Sequence, residues 1–192
     1  MAEKILLTKT EYLVGSVDEN LQELSEMILR NYNEKRFMAT DTDDIRWEDV
    51  RIDFTPQVQR IVKTLCEEWK NAFDEEIESC WQNEPGQDPN CAFWAVVHNP
   101  GDTTNIHSHE TAANYADGAH VSAALWVVVP PNSGDFVFQY YRNPYLHRQR
   151  TIAAEAGKFV MFDSTLKHYV TKNMSAEKRI VLSMNFRIKQ DN

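Results

Sequence analysis

The chain has 192 residues, of which 42% are hydrophobic, and its formal net charge is −9 at pH 7. This length and hydrophobic content predict one domain, residues 1–192, with a core of its own. The lysines and arginines are scattered along the chain, whereas a surface that follows a nucleic-acid backbone needs them clustered. We therefore expect no nucleic-acid partner.

The cysteines and the hydropathy pattern bear on the cellular compartment. Cys66, Cys80 and Cys91 have no CxxC spacing, and an odd number of cysteines cannot form a complete set of disulfides, which favours a reducing compartment. The longest apolar run, residues 123–129, is too short to cross a bilayer. These features predict a cytoplasmic protein without a membrane segment. They do not decide the oligomeric state, and a homodimer stays open.

Two amphipathic helices are predicted in the first half of the chain. Apolar residues recur at helical spacing over residues 17–32, behind an Asp18 that can cap the first turn. Thr55-Pro56 predicts the start of a second helix, which we expect to run on or restart through residues 75–81. Residues 1–90 are thus interpreted as mainly helical support.

The composition changes to short β-rich runs in residues 91–192. Turn residues separate these runs, which cover residues 92–98, 121–129, 135–140, 158–162, 168–170 and 179–188. Many short strands without long helices between them predict a sandwich or open barrel. We expect an α+β fold in which the helices pack on the outside of this barrel.

Three histidines form a candidate metal site in the predicted barrel. His107 and His109 are two residues apart, so that on a strand their imidazoles project from the same face. His168 follows a glycine turn and a short strand, and a barrel can bring it to the pair. Imidazole binds Fe, Zn, Ni and Cu, so the ligand type alone does not identify the metal.

The other three histidines, His98, His120 and His147, do not belong to such a pattern. A single histidine near a strand end is most often a solvated or hydrogen-bonded residue. We interpret His98 and His147 as structural or surface residues and keep His120 as a reserve candidate for the site.

Arg179 is a candidate anion-binding residue. It opens a predicted strand on which Arg179, Ser183 and Asn185 share one face. If that face is inward, the buried guanidinium needs an anion, and its fork suits a carboxylate such as one end of a dicarboxylate. The alternative is an exposed strand-end charge that pairs with Glu177.

These residues together resemble the Fe(II)/2-oxoglutarate-dependent oxygenases, especially a bacterial and phage branch. The similar stretches are residues 94–102, 107–109, 122–136, 157–168 and 179–186. The resemblance implies a double-stranded β-helix, a jelly-roll barrel related to the cupins. It also implies an oxidoreductase that couples oxidation of a small-molecule or side-chain substrate by O2 to the release of succinate and CO2.

The resemblance also implies residue roles. The three candidate histidines fall at the metal and catalytic positions, and Arg179 falls where these enzymes hold the distal carboxylate of 2-oxoglutarate. Trp126, at a strand position where the family often has tyrosine, and Ser183 are assigned to the same cosubstrate site. We expect residues 110–119 and 140–145 to form a lid over it.

The chain departs from the family pattern at two places. The family commonly has Asp or Glu two residues after the first histidine and Ser two residues after the arginine, whereas this chain has His109 and Val181. Glu110 or Asp117 would be the acid that completes the metal site if His109 does not.

Two other functions remain compatible with the sequence. Gly101 ahead of the histidine pair and Gly157 ahead of His168 also fit the two metal half-motifs of the cupins, which include enzymes and binding modules that do not use 2-oxoglutarate. A non-enzymatic interaction or sugar-binding barrel is the second alternative. Formation of succinate from 2-oxoglutarate separates the oxygenase from both.

Overall fold

The computed structural model describes residues 11–37, 48–80, 93–109, 119–143 and 145–189. In these residues the chain forms, in order, β1 (Tyr12–Ser16), α1 (Gln22–Asn33), β2 (Glu48–Val50), α2 (Pro56–Phe73), β3 (Ile77–Cys80), β4 (Phe93–His98), β5 (Thr104–His107), β6 (Val121–Val128), β7 (Phe136–Asn143), β8 (Leu146–Ile152), β9 (Lys158–Asp163), β10 (His168–Val170) and β11 (Arg179–Ile188).

The strands form two antiparallel sheets that face each other. The larger sheet has the order β1-β9-β6-β11-β4-β2, with β3 pairing β11, and the smaller sheet has the order β5-β10-β7-β8. Buried residues from both sheets meet in one apolar cluster that includes Trp126, Phe136, Phe138, Phe162 and Val181. This arrangement is the double-stranded β-helix barrel that was expected, and the cluster is its interior.

The two helices cover the outer face of the larger sheet. Strand residues of the alternate register, such as Ala123 and Leu125, point outward and pack against Ile28 of α1 and Val58 and Leu65 of α2. Burial of each large aliphatic side chain contributes about 1.5–3 kcal/mol. The helices therefore lie outside the barrel, as predicted. Within the described part of the chain, no helix is long and apolar enough to cross a membrane.

The predicted start of α2 is confirmed, and the predicted start of α1 is wrong. The Thr55 side chain accepts a hydrogen bond from the backbone N–H of Val58 (3.3 Å), and Pro56 opens α2. By contrast, α1 begins at Gln22 behind Leu21, which makes no side-chain cap, so Asp18 does not cap it. Residues 12–16 form β1, which pairs with β9, and residues 17–21 connect this strand to α1.

The predicted continuation of the second helix through residues 75–81 is also wrong. Asp74 ends α2 in the left-handed conformation, with φ of 56°. The chain then forms β3, which pairs with the end of β11, while β2 pairs with β4. The first 90 residues thus supply edge strands to the larger sheet as well as helical support. Trp81 lies outside the described residues.

A tight loop between β6 and β7 packs against Thr171, the residue that follows β10. Gly134 has φ of +93°, and a Cβ atom placed there would overlap the backbone carbonyl oxygen of Thr171. Next to it, the backbone N–H of Thr171 donates to the carbonyl of Asp135 (3.0 Å). Only glycine allows both this backbone conformation and this close approach.

Gly134→Ala should therefore destabilise the fold far more than Gly101→Ala, which serves as a matched control. Gly101 has nearly the same φ (+92°), but a Cβ there would meet only a side-chain carbon of Lys172 at 3.7 Å. We expect about 1–2 kcal/mol for the strained φ at Gly101 and at least about 2 kcal/mol more at Gly134, measured by urea unfolding. Equal losses in the two variants would contradict the proposed backbone contact.

Candidate metal and cosubstrate site

The three candidate histidines meet inside the barrel. His107, the last residue of β5, lies directly opposite His168, the first residue of β10, and His109 lies two residues beyond the end of β5. One nitrogen from each ring lies within 4.8 Å of the other two. Three nitrogens held about 2.1 Å from one ion are at most about 4.2 Å apart, so small rotations of the rings complete a metal site.

The hydrogen bonds of the rings determine which nitrogen is available. The Nδ1 atom of His107 lies 2.8 Å from the carbonyl oxygen of Asn105, and that of His168 lies 2.9 Å from the carbonyl oxygen of Leu166. A carbonyl only accepts, so Nδ1 carries the proton in both rings. The lone pair of each ring is therefore on Nε2, the arrangement typical of metal-binding histidines.

His109 is oriented by a side chain rather than by the backbone. Its Nδ1 atom lies 2.7 Å from Oδ1 of Asn185, which also accepts a hydrogen bond from the Ser122 hydroxyl (2.8 Å). Asn185 and Ser122 are themselves cross-strand partners on β11 and β6. With Nδ1 of His109 donating to this oxygen, its Nε2 also carries a lone pair.

Burial keeps the three rings neutral at neutral pH. Desolvation lowers the pKa of His107, which the hydrogen bond to Asn105 partly opposes. Desolvation and then the charge of His107 lower the pKa of His109 to about 4, and the same effects hold the pKa of His168 well below its usual value. Their lone pairs are thus available to a metal without prior loss of a proton.

Aromatic rings enclose the cluster on two sides. Phe136 stacks on His168 with ring centroids 5.1 Å apart, Phe162 lies 4.8 Å from the same ring, and Trp94 lies 5.7 Å from His109. These rings exclude water from the metal ligands, which strengthens electrostatic interactions within the site.

Arg179 lies in the same interior as a buried cation. It is fully buried at the start of β11, and none of its three guanidinium nitrogens has a hydrogen-bond partner among the described residues. Desolvation lowers its pKa to about 10, partly opposed by Asp135, so the group stays charged at neutral pH. A buried guanidinium without partners is costly, and a carboxylate ligand would remove that cost.

Trp126 and His98 are two further buried polar side chains of the interior. The indole N–H of the fully buried Trp126 has no acceptor in the described part of the chain, and its ring lies 6.3 Å from Phe136, which stacks on His168. His98 is the cross-strand partner of Arg179, and its Nε2 atom lies 2.6 Å from the Thr104 hydroxyl. Its Nδ1 atom is buried without a partner among those residues.

The structure thus brings together most of the residues that the sequence singled out. Ser183 lies on the inward register of β11, but its contacts do not tie it to the cosubstrate, so its role stays a prediction. Glu110 and Asp117 lie outside the described residues. His147 is exposed on β8, as interpreted from the sequence, and His120 accepts a hydrogen bond from the N–H of Ile188 (3.1 Å) at the rim.

Sequence reasoning did not predict the surroundings of two residues, His98 and Asn185. His98 was interpreted as structural or surface, and Asn185 was noted only as a residue on the face of Arg179. Cross-strand pairing between β4 and β11 puts His98 beside Arg179, and this pairing is not visible in either segment alone. Alternation along β11 was the signal for Asn185, since it lies six residues after Arg179 on the same face.

Comparison with known proteins identifies the family. Residues 92–185 match the family described as "Putative 2OG-Fe(II) oxygenase". Over these residues, which include the three candidate histidines and Arg179, the chain matches the Fe(II)/2-oxoglutarate-dependent oxygenases. This result favours the oxygenase over the cupin and the non-enzymatic barrel. The protein is therefore an enzyme whose cofactors are Fe(II), 2-oxoglutarate and O2. No curated protein matched the chain.

Solved oxygenase structures share the fold over almost the whole chain. A Pseudomonas putida prolyl-4-hydroxylase is 16% identical with a TM-score of 0.66, and the alignment covers 93% of each chain. A Trichoplax adhaerens prolyl hydroxylase, solved with a peptide fragment of a hypoxia-inducible factor, is 12% identical with a TM-score of 0.67, covering 91% of this chain and 82% of that one. The epimerase SnoN from nogalamycin biosynthesis is 12% identical with a TM-score of 0.67, covering 92% and 77%.

The buried His98 makes the stability of the metal-free protein depend on pH. Burial, and then the charge of Arg179, lower the pKa of His98 to about 3 from the 6.5 of a solvated histidine. The unfolded chain therefore takes up a proton that the folded chain does not, and stability falls as the pH drops below about 6.5. His98 alone should cost roughly 1 kcal/mol between pH 6.5 and 5.5.

Urea unfolding with a chelator at both pH values measures this effect. Between pH 6.5 and 5.5, the variant His98→Asn should lose roughly 1 kcal/mol less stability than the wild type. The three ligand histidines contribute equally to the wild type and the variant. An unchanged difference between the two pH values would show that His98 does not titrate on unfolding.

Asn185 should control metal affinity through His109. Asn185→Leu removes the acceptor of the Nδ1 proton, and loss of such an orienting contact typically lowers metal affinity about 10–100-fold. Asn185→Asp keeps an oxygen acceptor at this position and should stay within a few-fold of the wild type. Anaerobic calorimetric titration with Co(II) measures both. A leucine variant that binds as tightly as the wild type would show that Asn185 does not orient a ligand.

Proposed function

We propose that His107, His109 and His168 bind Fe(II) through their Nε2 atoms, and that Arg179 binds the distal carboxylate of 2-oxoglutarate. The enzyme is then a hydroxylase-type dioxygenase that oxidises a substrate not yet identified and releases succinate and CO2. The observation that carries this proposal is the buried Arg179, which has no hydrogen-bond partner among the described residues, in the same interior as three converging imidazoles.

The donor set suits a ferrous ion. Three neutral imidazoles are borderline ligands, which Fe(II) accepts, and three protein ligands leave coordination positions for the cosubstrate and O2. A family member with two histidines and a carboxylate has one more negative charge at the metal. The site of this chain is therefore one unit more positive, which favours a dianionic cosubstrate.

The polar groups around Arg179 suit one end of a dicarboxylate. The guanidinium offers a bidentate pair of donors, and the Trp126 indole N–H offers one more, whereas the surrounding walls are apolar. His98, the cross-strand partner of Arg179, and Thr104 are hydrogen-bonded to each other at this end of the interior. We assign the distal carboxylate to Arg179 and Trp126, and we keep Ser183 as a predicted cosubstrate contact.

The residues of this chain bind the metal and the cosubstrate, orient the metal ligands, and exclude water from the site. When bound, iron and 2-oxoglutarate supply the activation of O2, coupled to oxidative decarboxylation of the cosubstrate. The hydrogen bonds to Asn105, Leu166 and Asn185 hold the ligand rings in the tautomer that binds metal. Phe136 and Phe162 keep bulk water away, which protects the reaction from side products.

The proposed site is compatible with two substrate classes. Similar structures include prolyl hydroxylases and an epimerase, which act on different kinds of molecule, so a small molecule and a polypeptide side chain both remain candidates.

We also propose that the protein is cytoplasmic, as expected from its cysteines, and that residues 1–192 act as one domain.

Anaerobic titration with Fe(II) and 2-oxoglutarate tests the proposal. The wild type should develop a visible metal-to-ligand charge-transfer band. His168→Ala should abolish the band because the metal is lost, whereas Arg179→Ala should still bind metal. Removal of a buried charged contact costs about 2–5 kcal/mol, so the affinity of Arg179→Ala for 2-oxoglutarate should fall at least about thirtyfold.

His147→Ala is the matched control, because this exposed histidine lies outside the cluster. It should give the wild-type band. The proposal would be wrong if His168→Ala kept the band, or if wild-type protein loaded with iron formed no succinate from 2-oxoglutarate.

A further inference from the structure

The hairpin formed by β7 and β8 stands out from the rest of the surface. Six residues of β8, Leu146 to Thr151, are exposed, and β8 is the last strand of the smaller sheet. Among the described residues, seven large hydrophobic side chains are exposed, and four of them belong to this hairpin: Tyr140, Tyr141, Tyr145 and Leu146. Such a concentration of exposed apolar groups is typical of an interaction site.

The hairpin is also basic on an acidic protein. Between Asp135 and Glu155 the sequence has three arginines and no acidic residue, whereas the whole chain has a net charge of −9. Arg148 and Arg150 make no ion pair within the described ranges, and the Nε atom of Arg150 donates to the Tyr12 hydroxyl (3.1 Å). The local charge therefore attracts a negatively charged group.

The basic side chains share a face with the metal centre. Arg150 lies opposite Phe138 and Arg148 opposite Tyr140, and residues directly opposite each other point to the same side of a sheet. On the other edge of β7, Phe138 lies opposite His168. Tyr140, Arg148 and Arg150 thus continue the inner face of the sheet outward from the metal ligand.

The free edge of β8 indicates what kind of molecule binds there. One edge of β8 pairs with β7, and the other has no strand partner in the described part of the chain. An extended polypeptide can pair with such an edge through main-chain hydrogen bonds, which a nucleic acid cannot provide. The net negative charge of the protein also disfavours a long polyanion such as RNA.

We propose that the β7–β8 hairpin docks the substrate, and that the substrate is an extended polypeptide segment with acidic side chains. The segment pairs with β8, its carboxylates meet Arg148 and Arg150, and the side chain to be oxidised reaches the metal past Tyr140. This inference rests on the proposed function, because it supplies the substrate class for that site.

Fluorescence anisotropy with labelled twelve-residue peptides tests the docking. The probes are an alternating Glu-Ser peptide, an alternating Lys-Ser peptide and a single-stranded oligothymidine of the same length. We expect the full chain to prefer the Glu-Ser peptide, with an affinity that falls as salt is added. Absence of binding, or preference for the oligothymidine, would overturn the proposal.

Two double variants with the same change in charge separate the hairpin from the general surface. Arg148→Ala/Arg150→Ala should weaken binding of the Glu-Ser peptide at least about tenfold, whereas Arg60→Ala/Lys63→Ala, which alters exposed cations of α2, should leave it unchanged. Arg148→Glu/Arg150→Glu should reverse the preference toward the Lys-Ser peptide. Equal effects of the two alanine pairs would contradict docking at the hairpin.

The role of the strand edge is tested in the peptide itself. Glu-Ser peptides that are N-methylated at alternate residues, in either of the two registers, keep their side chains but lose half of their main-chain donors. One register should lose binding, because those donors face β8. If both registers bind like the unmodified peptide, β-strand pairing is wrong.

The docking proposal and the proposed function can fail separately. Arg148→Ala/Arg150→Ala should still give the charge-transfer band with Fe(II) and 2-oxoglutarate, since neither arginine belongs to that site. Loss of the band in wild-type protein would overturn the oxygenase assignment of these residues. A normal band together with no peptide binding would overturn only the substrate class.

Discussion

The site depends on the antiparallel pairing of β5 with β10, which sets His107 directly opposite His168. Opposed residues in such a pair have Cβ atoms about 4.5–5.5 Å apart, close enough for two imidazoles to share one ion. Because β10 also pairs with β7, Phe138 lies on the other side of His168 and fixes the strand in place. A shift of β10 by one residue would turn His168 away from the interior, so the register of the smaller sheet decides whether a metal can bind.

Desolvation shapes both ends of the interior, with opposite effects on charge. At one end it keeps three imidazoles neutral, which is the form that binds metal. At the other end Arg179 stays charged without a partner among the described residues, and the fold bears a cost of several kcal/mol for it. The barrel interior therefore has an excess of positive charge before any ligand binds, and a metal adds more. A dianion that contacts both ends offsets this excess better than a neutral or singly charged ligand of the same length.

The sequence predicted those features of the site that depend on local alternation. Alternation along a strand predicted that Arg179, Ser183 and Asn185 share one face, and the two-residue spacing predicted that the rings of His107 and His109 point the same way. The features that it did not predict depend on pairing between distant segments. Residues 75–81 can continue a helix by themselves, but the end of β11, about 100 residues later, pairs with Ile77–Cys80 as a strand. The sequence also did not predict that His98, interpreted as a structural or surface residue, lies beside Arg179 and Thr104, because these two residues come from other strands.

The larger sheet is packed on both faces, whereas the smaller sheet carries metal-ligand candidates and the proposed docking strand. The larger sheet has its inner face in the barrel core and its outer face under α1 and α2, so a substitution there disturbs packing on either side. The smaller sheet supplies the ends of β5 and β10 that hold His107 and His168, and it ends in β8, which is exposed. The sequence of β8 can therefore change with little loss of core packing. If the hairpin docks the substrate as proposed, this separation lets one scaffold keep its metal and cosubstrate site while the hairpin adapts to a particular substrate.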